Sequence, residues 1–195
     1  MNILICYGTR PEYIKIKPLL KAMDGKISYR TLFTGQHSTL IGEHNPDFTI
    51  EIKDGSNRLD SIVQSVLNCD EGFFQNITHV LVQGDTTSAF AMCLAAFHRK
   101  IKIIHLEAGL RTNNLQAPYP EEANRQLISR LADINLCPTE NNKQNLINEN
   151  CPGKSYVVGN TGLDNLLKYK NQISYDFKIL VTLHRRENHE VMKRY

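Results

Sequence analysis

The sequence predicts an α/β fold, a doubly wound parallel sheet covered by helices on both faces. Three observations predict it. Short apolar runs alternate with amphipathic stretches along the chain. The apolar runs are near-continuous, as in strands buried on both faces. Gly35, Gly84, Gly109 and Gly159 each follow such a run closely, where the chain must turn sharply.

In chain order, the strand Ile3–Tyr7 precedes a helical pattern near Tyr13–Met23, and the strand Tyr29–Thr34 precedes one at Arg58–Asn68. His79–Gln83 leads to the helix Thr87–Arg99, and Ile101–Leu106 to Glu121–Ala132. Pro120 suits the first turn of that last helix. Ile134–Cys137 leads to Glu140–Asn148, where Thr139 is a natural N-cap. Ser155–Val158 leads to Leu163–Tyr169. After the polar stretch Tyr169–Asp176 come a fresh strand, Lys178–Leu183, and a helix, Glu187–Lys193. Residues 1–170 are therefore expected to form one domain, and 171–195 the start of a second, incomplete one.

Composition narrows the function classes. The 195 residues are 41% hydrophobic, enough for a buried core. The net charge is +3, with 23 basic and 20 acidic residues, and no clustered basic face demands nucleic acid. Five widely spaced cysteines without a Cys-x-x-Cys pair argue against a disulfide framework or structural zinc and for a reducing compartment. The seven histidines form no metal-ligand pattern, so no metal site is expected. No signal-peptide pattern and no membrane-spanning run is present, and a cytoplasmic location without membrane contact is expected.

Charged groups gather at the carboxyl ends of the predicted strands, where ligands of such sheets bind. The first strand ends in Tyr7-Gly-Thr-Arg-Pro-Glu12. Gly8 permits close backbone approach, Arg10 can hold a phosphate by two hydrogen bonds, and Lys15 lies in the first turns of the next helix. A nicotinamide dinucleotide is disfavoured, because there is no Gly-x-Gly-x-x-Gly. A third strand ends in Gln83-Gly-Asp-Thr-Thr87, where Asp85 is equally a helix cap or a catalyst. The next ends in Glu107-Ala-Gly-Leu-Arg111, and glutamate is a poor cap. Glu121 and Glu122 open a helix whose dipole favours negative charge; that structural explanation suits Glu122 best, with Arg125 as an intrahelical partner of Glu121. The last predicted strand ends in His184-Arg-Arg-Glu187. Several carboxylates beside several cations suit proton abstraction next to a carbon bearing a phosphate ester. Serine or cysteine covalent catalysis is disfavoured, because no nucleophile elbow or Cys–His pairing is evident.

Six motifs, in order, resemble those of the non-hydrolysing UDP-N-acetylglucosamine 2-epimerases: Tyr7-Gly-Thr-Arg-Pro-Glu12, Gln83-Gly-Asp-Thr-Thr87, His105-Leu-Glu-Ala-Gly-Leu-Arg-Thr112, Pro120-Glu-Glu-Ala-Asn-Arg125, Val158-Gly-Asn-Thr161 and His184-Arg-Arg-Glu-Asn188. The resemblance implies two Rossmann-like domains arranged as in GT-B glycosyltransferases, this chain being the N-terminal half. It implies interconversion of UDP-N-acetylglucosamine and UDP-N-acetylmannosamine through a 2-acetamidoglucal, without metal or nicotinamide. By resemblance Asp85, Glu107 and Glu121 are acid–base carboxylates, and His184 completes the catalytic set. Arg10, Lys15, Gly8, Arg111, Thr112, Arg185 and Glu187 are expected around the UDP-sugar. Gln36, His37 and Arg58 correspond to a regulatory site, and a homodimer is expected by analogy.

Relatives of this kind continue for about another domain, with a Ser-Gly-Gly phosphate loop and a glutamate that grips the ribose; this sequence has neither. The rest of the UDP site is expected from a C-terminal domain in cis or in trans, with a truncated chain, a split gene and a degenerate copy as open readings. The alternatives for function are a 2-epimerase of a related 6-deoxy UDP-aminosugar, a hydrolysing variant, and an inactive remnant or partner-binding half.

Overall fold

The computed structural model describes residues 1–37 and 45–172. The chain divides into two compact units, Met1–Asn165 and Leu166–Tyr195. In the second, the described part is a 3-10 segment, Leu167–Gln172. The expected strand Lys178–Leu183 and helix Glu187–Lys193, with His184, Arg185 and Glu187, lie outside the described residues.

The first unit is built on a seven-stranded, all-parallel sheet in the order β3-β2-β1-β4-β5-β6-β7. The strands are β1 Asn2–Tyr7, β2 Ser28–Phe33, β3 Phe48–Thr49, β4 His79–Gln83, β5 Lys102–Leu106, β6 Ile134–Cys137 and β7 Lys154–Val157. The helices are α1 Arg10–Met23, α2 Arg58–Leu67, α3 Thr87–His98, α4 Glu121–Leu131, α5 Glu140–Asn148 and the short α6 Thr161–Asp164. Strand order reverses between β1 and β4, the crevice that ligands of Rossmann-like sheets occupy.

Strands β1, β2, β4 and β5 share their side chains between two cores. Leu4 and Cys6 of β1 join Val80, Val82 and Ile103 beneath α3 and α4. Ile3, Ile5 and Tyr7 face the opposite side, with Leu81, Ile104 and Leu106. That second face receives Tyr13, Ile16, Leu20 and Met23 of α1, whose spacing of three or four residues makes one helical stripe. Burying each such apolar side chain is worth roughly 1.5–3 kcal/mol. Helix α3 lies buried on nearly every side, which its alanine-rich sequence allows.

α1 contains Pro18, whose ring nitrogen cannot donate to the Ile14 carbonyl. That carbonyl accepts instead from Asn165 Nδ2 at 2.7 Å, so the last residue of the unit repairs the gap in the first helix.

Candidate active site

The loops after β1, β4 and β5 sit side by side at the carboxyl edge of the sheet. Gly84 N–H donates to Leu106 O at 2.9 Å, and Glu107 and Ala108 N–H donate to Leu136 O at 3.0 and 3.1 Å. The β5 turn closes through Gly109, at φ +85°. A Cβ there would stand 2.1 Å from the Asn142 carbonyl oxygen of α5, so only glycine fits.

Asp85 does not cap α3. Thr86 does, its hydroxyl accepting from Ala89 N–H at 3.1 Å, which leaves the Asp85 carboxylate for other work. Arg125 Nη2 donates to it, and Asn124 Nδ2 donates to the Asp85 carbonyl at 3.0 Å. Arg125 therefore pairs with Asp85 and, through Nη1 at 3.2 Å, with Glu122; the expected intrahelical pair with Glu121 is replaced by these contacts. Glu107, at φ +69°, accepts at Oε2 from Lys15 Nζ at 2.5 Å and from Gln83 Nε2. Glu121 has a buried Oε2 with no hydrogen-bond partner among the described residues.

Glu122 is fully buried and structural, as its place in the sequence suggested. It accepts from the Thr112 and Asn113 backbone N–H groups at 3.0 and 3.2 Å and from Gln126 Nε2 at 2.9 Å. Burial pushes its carboxyl upward, but the Gln126, Thr112 and Asn113 hydrogen bonds and the Arg125 charge prevail and hold it below the usual carboxylate range. His105 is also fully buried, and its Nε2 lies 2.7 Å from Gly84 O. Desolvation pushes this imidazole down to about 4, so it is a neutral donor that holds the turn before Asp85.

Several residues expected at the substrate have their polar groups engaged inside the protein. Arg111 donates from Nε and Nη2 to Glu149 at 2.7 and 2.8 Å, and also to Ser129 Oγ and Leu110 O. The Thr112 hydroxyl donates to Ala117 O at 2.7 Å. Gly8 N–H donates to Glu12 Oε2, and Gly8 O accepts from His37 N–H. A Cβ on Gly8 would meet Thr34 Oγ1 at 2.2 Å and Ser88 Oγ at 2.6 Å, so packing by itself already requires this glycine. Arg10 is exposed at the first turn of α1. Arg58 Nη2 donates to Gln36 O at 2.5 Å, and Gln36 Oε1 accepts from Ser88 N–H at 3.1 Å. Gln36, His37 and Arg58 are thus near one another beside the β2 end.

Two residues escaped the sequence reading. Gln83, the polar last residue of an apolar strand, binds Glu107. Glu12 forms a capping box with Thr9, a pattern legible as Thr-x-x-Glu. Among the described residues, no cluster of His, Cys, Asp or Glu is arranged to hold a metal, and no helix is long and apolar enough to cross a membrane.

Residues 21–195 match the family model for UDP-N-acetylglucosamine 2-epimerase. The chain is 41% identical to a UDP-N-acetylglucosamine 2-epimerase of Campylobacter jejuni, over 96% of this chain and 57% of the relative. A crystal structure of a putative UDP-N-acetylglucosamine 2-epimerase from Listeria monocytogenes superposes with a TM-score of 0.83 at 35% identity, over 96% of this chain and 55% of that one. The UDP-GlcNAc 2-epimerase of Neisseria meningitidis, solved bound to UDP-GlcNAc, superposes with a TM-score of 0.79 at 37% identity, over 88% of this chain and 50% of that one. The chain spans about half the length of the relatives it matches.

Proposed function

The chain belongs to the UDP-N-acetylglucosamine 2-epimerase family, and from that membership we propose that it carries the sugar-side catalytic groups of an enzyme interconverting UDP-GlcNAc and UDP-ManNAc. A carboxylate takes the C2 proton while UDP leaves C1, giving the 2-acetamidoglucal. UDP then returns to C1 and a proton is delivered to the opposite face of C2. Protons and electrons balance within the sugar, so the reaction as proposed calls on neither a metal nor nicotinamide.

The observation that carries this reading is the carboxylate rim at the ends of β4 and β5. Asp85 and Glu107 are each fixed by a cation, Arg125 and Lys15, and Glu121 opens the helix that supplies Arg125. A C2 proton is weakly acidic, so base and leaving-group stabilisation must act together. Placed side chains contribute ~10²–10⁴-fold to such transfers. We assign Asp85, Glu107 and Glu121 to the proton steps, and Arg10, Lys15 and His184, with Arg185 and Glu187, to UDP. Residues 171–195 begin the nucleotide-binding domain in this reading, the remainder of which is supplied in cis or in trans. A homodimer, and regulation through Gln36, His37 and Arg58, belong to the same proposal. So does a cytoplasmic setting, supported by five free thiols.

The test is C2 deuterium incorporation from D₂O into UDP-GlcNAc, followed by NMR, with the intact protein that carries this sequence. Asp85→Asn, Glu107→Gln and Glu121→Gln should each suppress it. Wild-type levels in all three variants, or no incorporation by the unmodified protein, would reject the reading. Free N-acetylmannosamine in place of an intact UDP-sugar would reveal hydrolysis instead.

A further inference from the structure

Glu12 has no part in the proton transfers assigned above, yet its residue is only 3% exposed. Oε2 accepts from Gly8 N–H at 3.0 Å, Thr9 N–H at 2.7 Å and the Thr9 hydroxyl at 2.8 Å. Those bonds, with Glu12 N–H donating back to Thr9 Oγ1 at 3.4 Å, make the capping box of α1. A capping box needs nothing more. The other oxygen, Oε1, accepts from the Thr86 hydroxyl at 2.9 Å, 74 residues away in sequence. Thr86 directly follows Asp85 and is the N-cap of α3. A single buried carboxylate therefore joins the loop after β1 to the loop after β4, on either side of the point where strand order reverses. The first loop leads into Arg10 and Lys15, the second carries Asp85.

We propose that Glu12 is a positioning residue: its bond to Thr86 fixes the Asp85 loop against the first turns of α1, and so registers the acid–base rim against the cations that face the leaving UDP. Its catalytic consequence rests on the epimerase reading, whereas the tie between loops rests on geometry alone.

The chemistry separates tie from charge. In Glu12→Gln the amide oxygen can keep the Gly8 and Thr9 donors, while its NH₂ donates to Thr86 Oγ1. Thr86 Oγ1 then turns its own proton toward Ser88 Oγ, already 3.2 Å away. Glu12→Ala removes every bond. Thr86→Val removes the tie and the α3 cap but leaves the α1 capping box, and Thr86→Ser keeps both.

The experiment measures C2 deuterium exchange, resolved into kcat and KM, and backbone amide hydrogen exchange, in the intact protein. Glu12→Ala and Thr86→Val should each lower kcat by about 10²-fold, the cost of misplacing a reacting group by an ångström, with a smaller change in KM. The double variant should be no worse than the poorer single one, and Glu12→Gln and Thr86→Ser should recover most of the loss. Thr86→Val should also speed amide exchange at Gly8 and Thr9, and Glu12→Ala at residues 84–87. Multiplying losses, a Glu12→Gln as damaged as Glu12→Ala, or Gly8 and Thr9 amides indifferent to Thr86→Val would each overturn the proposal. If the unmodified protein exchanges no C2 proton, the epimerase reading and the catalytic role fall together, and the amide data alone decide the tie.

Discussion

Lys15 Nζ stands 2.5 Å from Glu107 Oε2, so a side chain of α1 reaches past β4 to the turn after β5. Gln83, at the end of that intervening strand, donates to the same oxygen. The three residues come from three separate segments, and a shared carboxylate oxygen is where they meet. Glu107 also holds φ +69°, a backbone region that L side chains rarely adopt.

That conformation separates activity from stability. A non-glycine residue in the left-handed region costs of order 1–3 kcal/mol, while a partly exposed ion pair returns at most ~1 kcal/mol. Glu107→Gly should therefore leave the unfolding free energy unchanged, or raise it by up to about 1 kcal/mol, while lowering C2 exchange by at least ~10²-fold. Urea unfolding and deuterium incorporation on the same sample check it. A destabilisation of several kcal/mol would make Glu107 a structural residue.

The segments were far more legible than their partnerships. β4 and β6 begin and end at the expected residues, because a buried strand reads as a near-continuous apolar run, broken in β6 by Asn135 and bounded in β4 by His79 and Gln83. α1 starts three residues earlier than its periodicity, at Arg10, because a capping box sets helix starts and apolar spacing does not. The two-residue β3 has no pattern to read. Asp85 and Thr86 are both good caps by type, and the fold gives the cap to Thr86. The Lys15–Glu107 pair is separated by 92 residues, and Arg125 prefers Asp85, 40 residues away, to its helical neighbour Glu121. Local spacing carries no record of which loops the sheet order brings together.

Glu122 supports the rim without touching substrate in the proposed mechanism. Each of its oxygens faces two donors: Thr112 N–H and Arg125 at one, Asn113 N–H and Gln126 at the other. An amide would turn its own NH₂ into one of those pairs, so Glu122→Gln should cost about 3 kcal/mol, as when a buried pair loses a partner. Its folded pKa is depressed, so its contribution is present above the unfolded value, about 4.3, and is lost as pH falls through the folded value. Urea unfolding at pH 7 and pH 3 should show the gap between wild type and variant narrowing in acid. A gap independent of pH would contradict this account.

Arg111 tests whether an arginine beside a catalytic turn serves substrate or scaffold. Its side chain is 2% exposed and doubly bonded to Glu149. Lysine cannot reproduce that fork or keep the Ser129 and Leu110 bonds as well. Arg111→Lys should lose about 2 kcal/mol of stability, as expected for hydrogen bonds to charged groups. Glu149→Gln should follow it in direction, and the double variant should fall short of the sum. KM for UDP-GlcNAc should move less than the unfolding midpoint. A large rise in KM with unchanged stability would return Arg111 to the substrate.

His105 gives the sharpest dependence on pH. Its imidazole is buried beside β4, donates to Gly84 O, and is pushed down to about 4 by desolvation. In the unfolded chain it takes up a proton near 6.5. Between these values the unfolded state binds a proton that the folded state refuses, so stability falls as pH drops from 6.5 towards 4 and no further below that. The interval corresponds to a loss on the order of 3 kcal/mol at 1.36 kcal/mol per unit. His79, shifted down by partial burial and by Lys102, is the control. His105→Gln can keep a donor for Gly84 O but has no proton to gain, so unfolding curves between pH 6.5 and 4.5 should converge for that variant and not for His79→Gln. Persistence of the wild-type slope in His105→Gln would place the acid sensitivity elsewhere in the chain and remove the neutral imidazole as the support of the Asp85 turn.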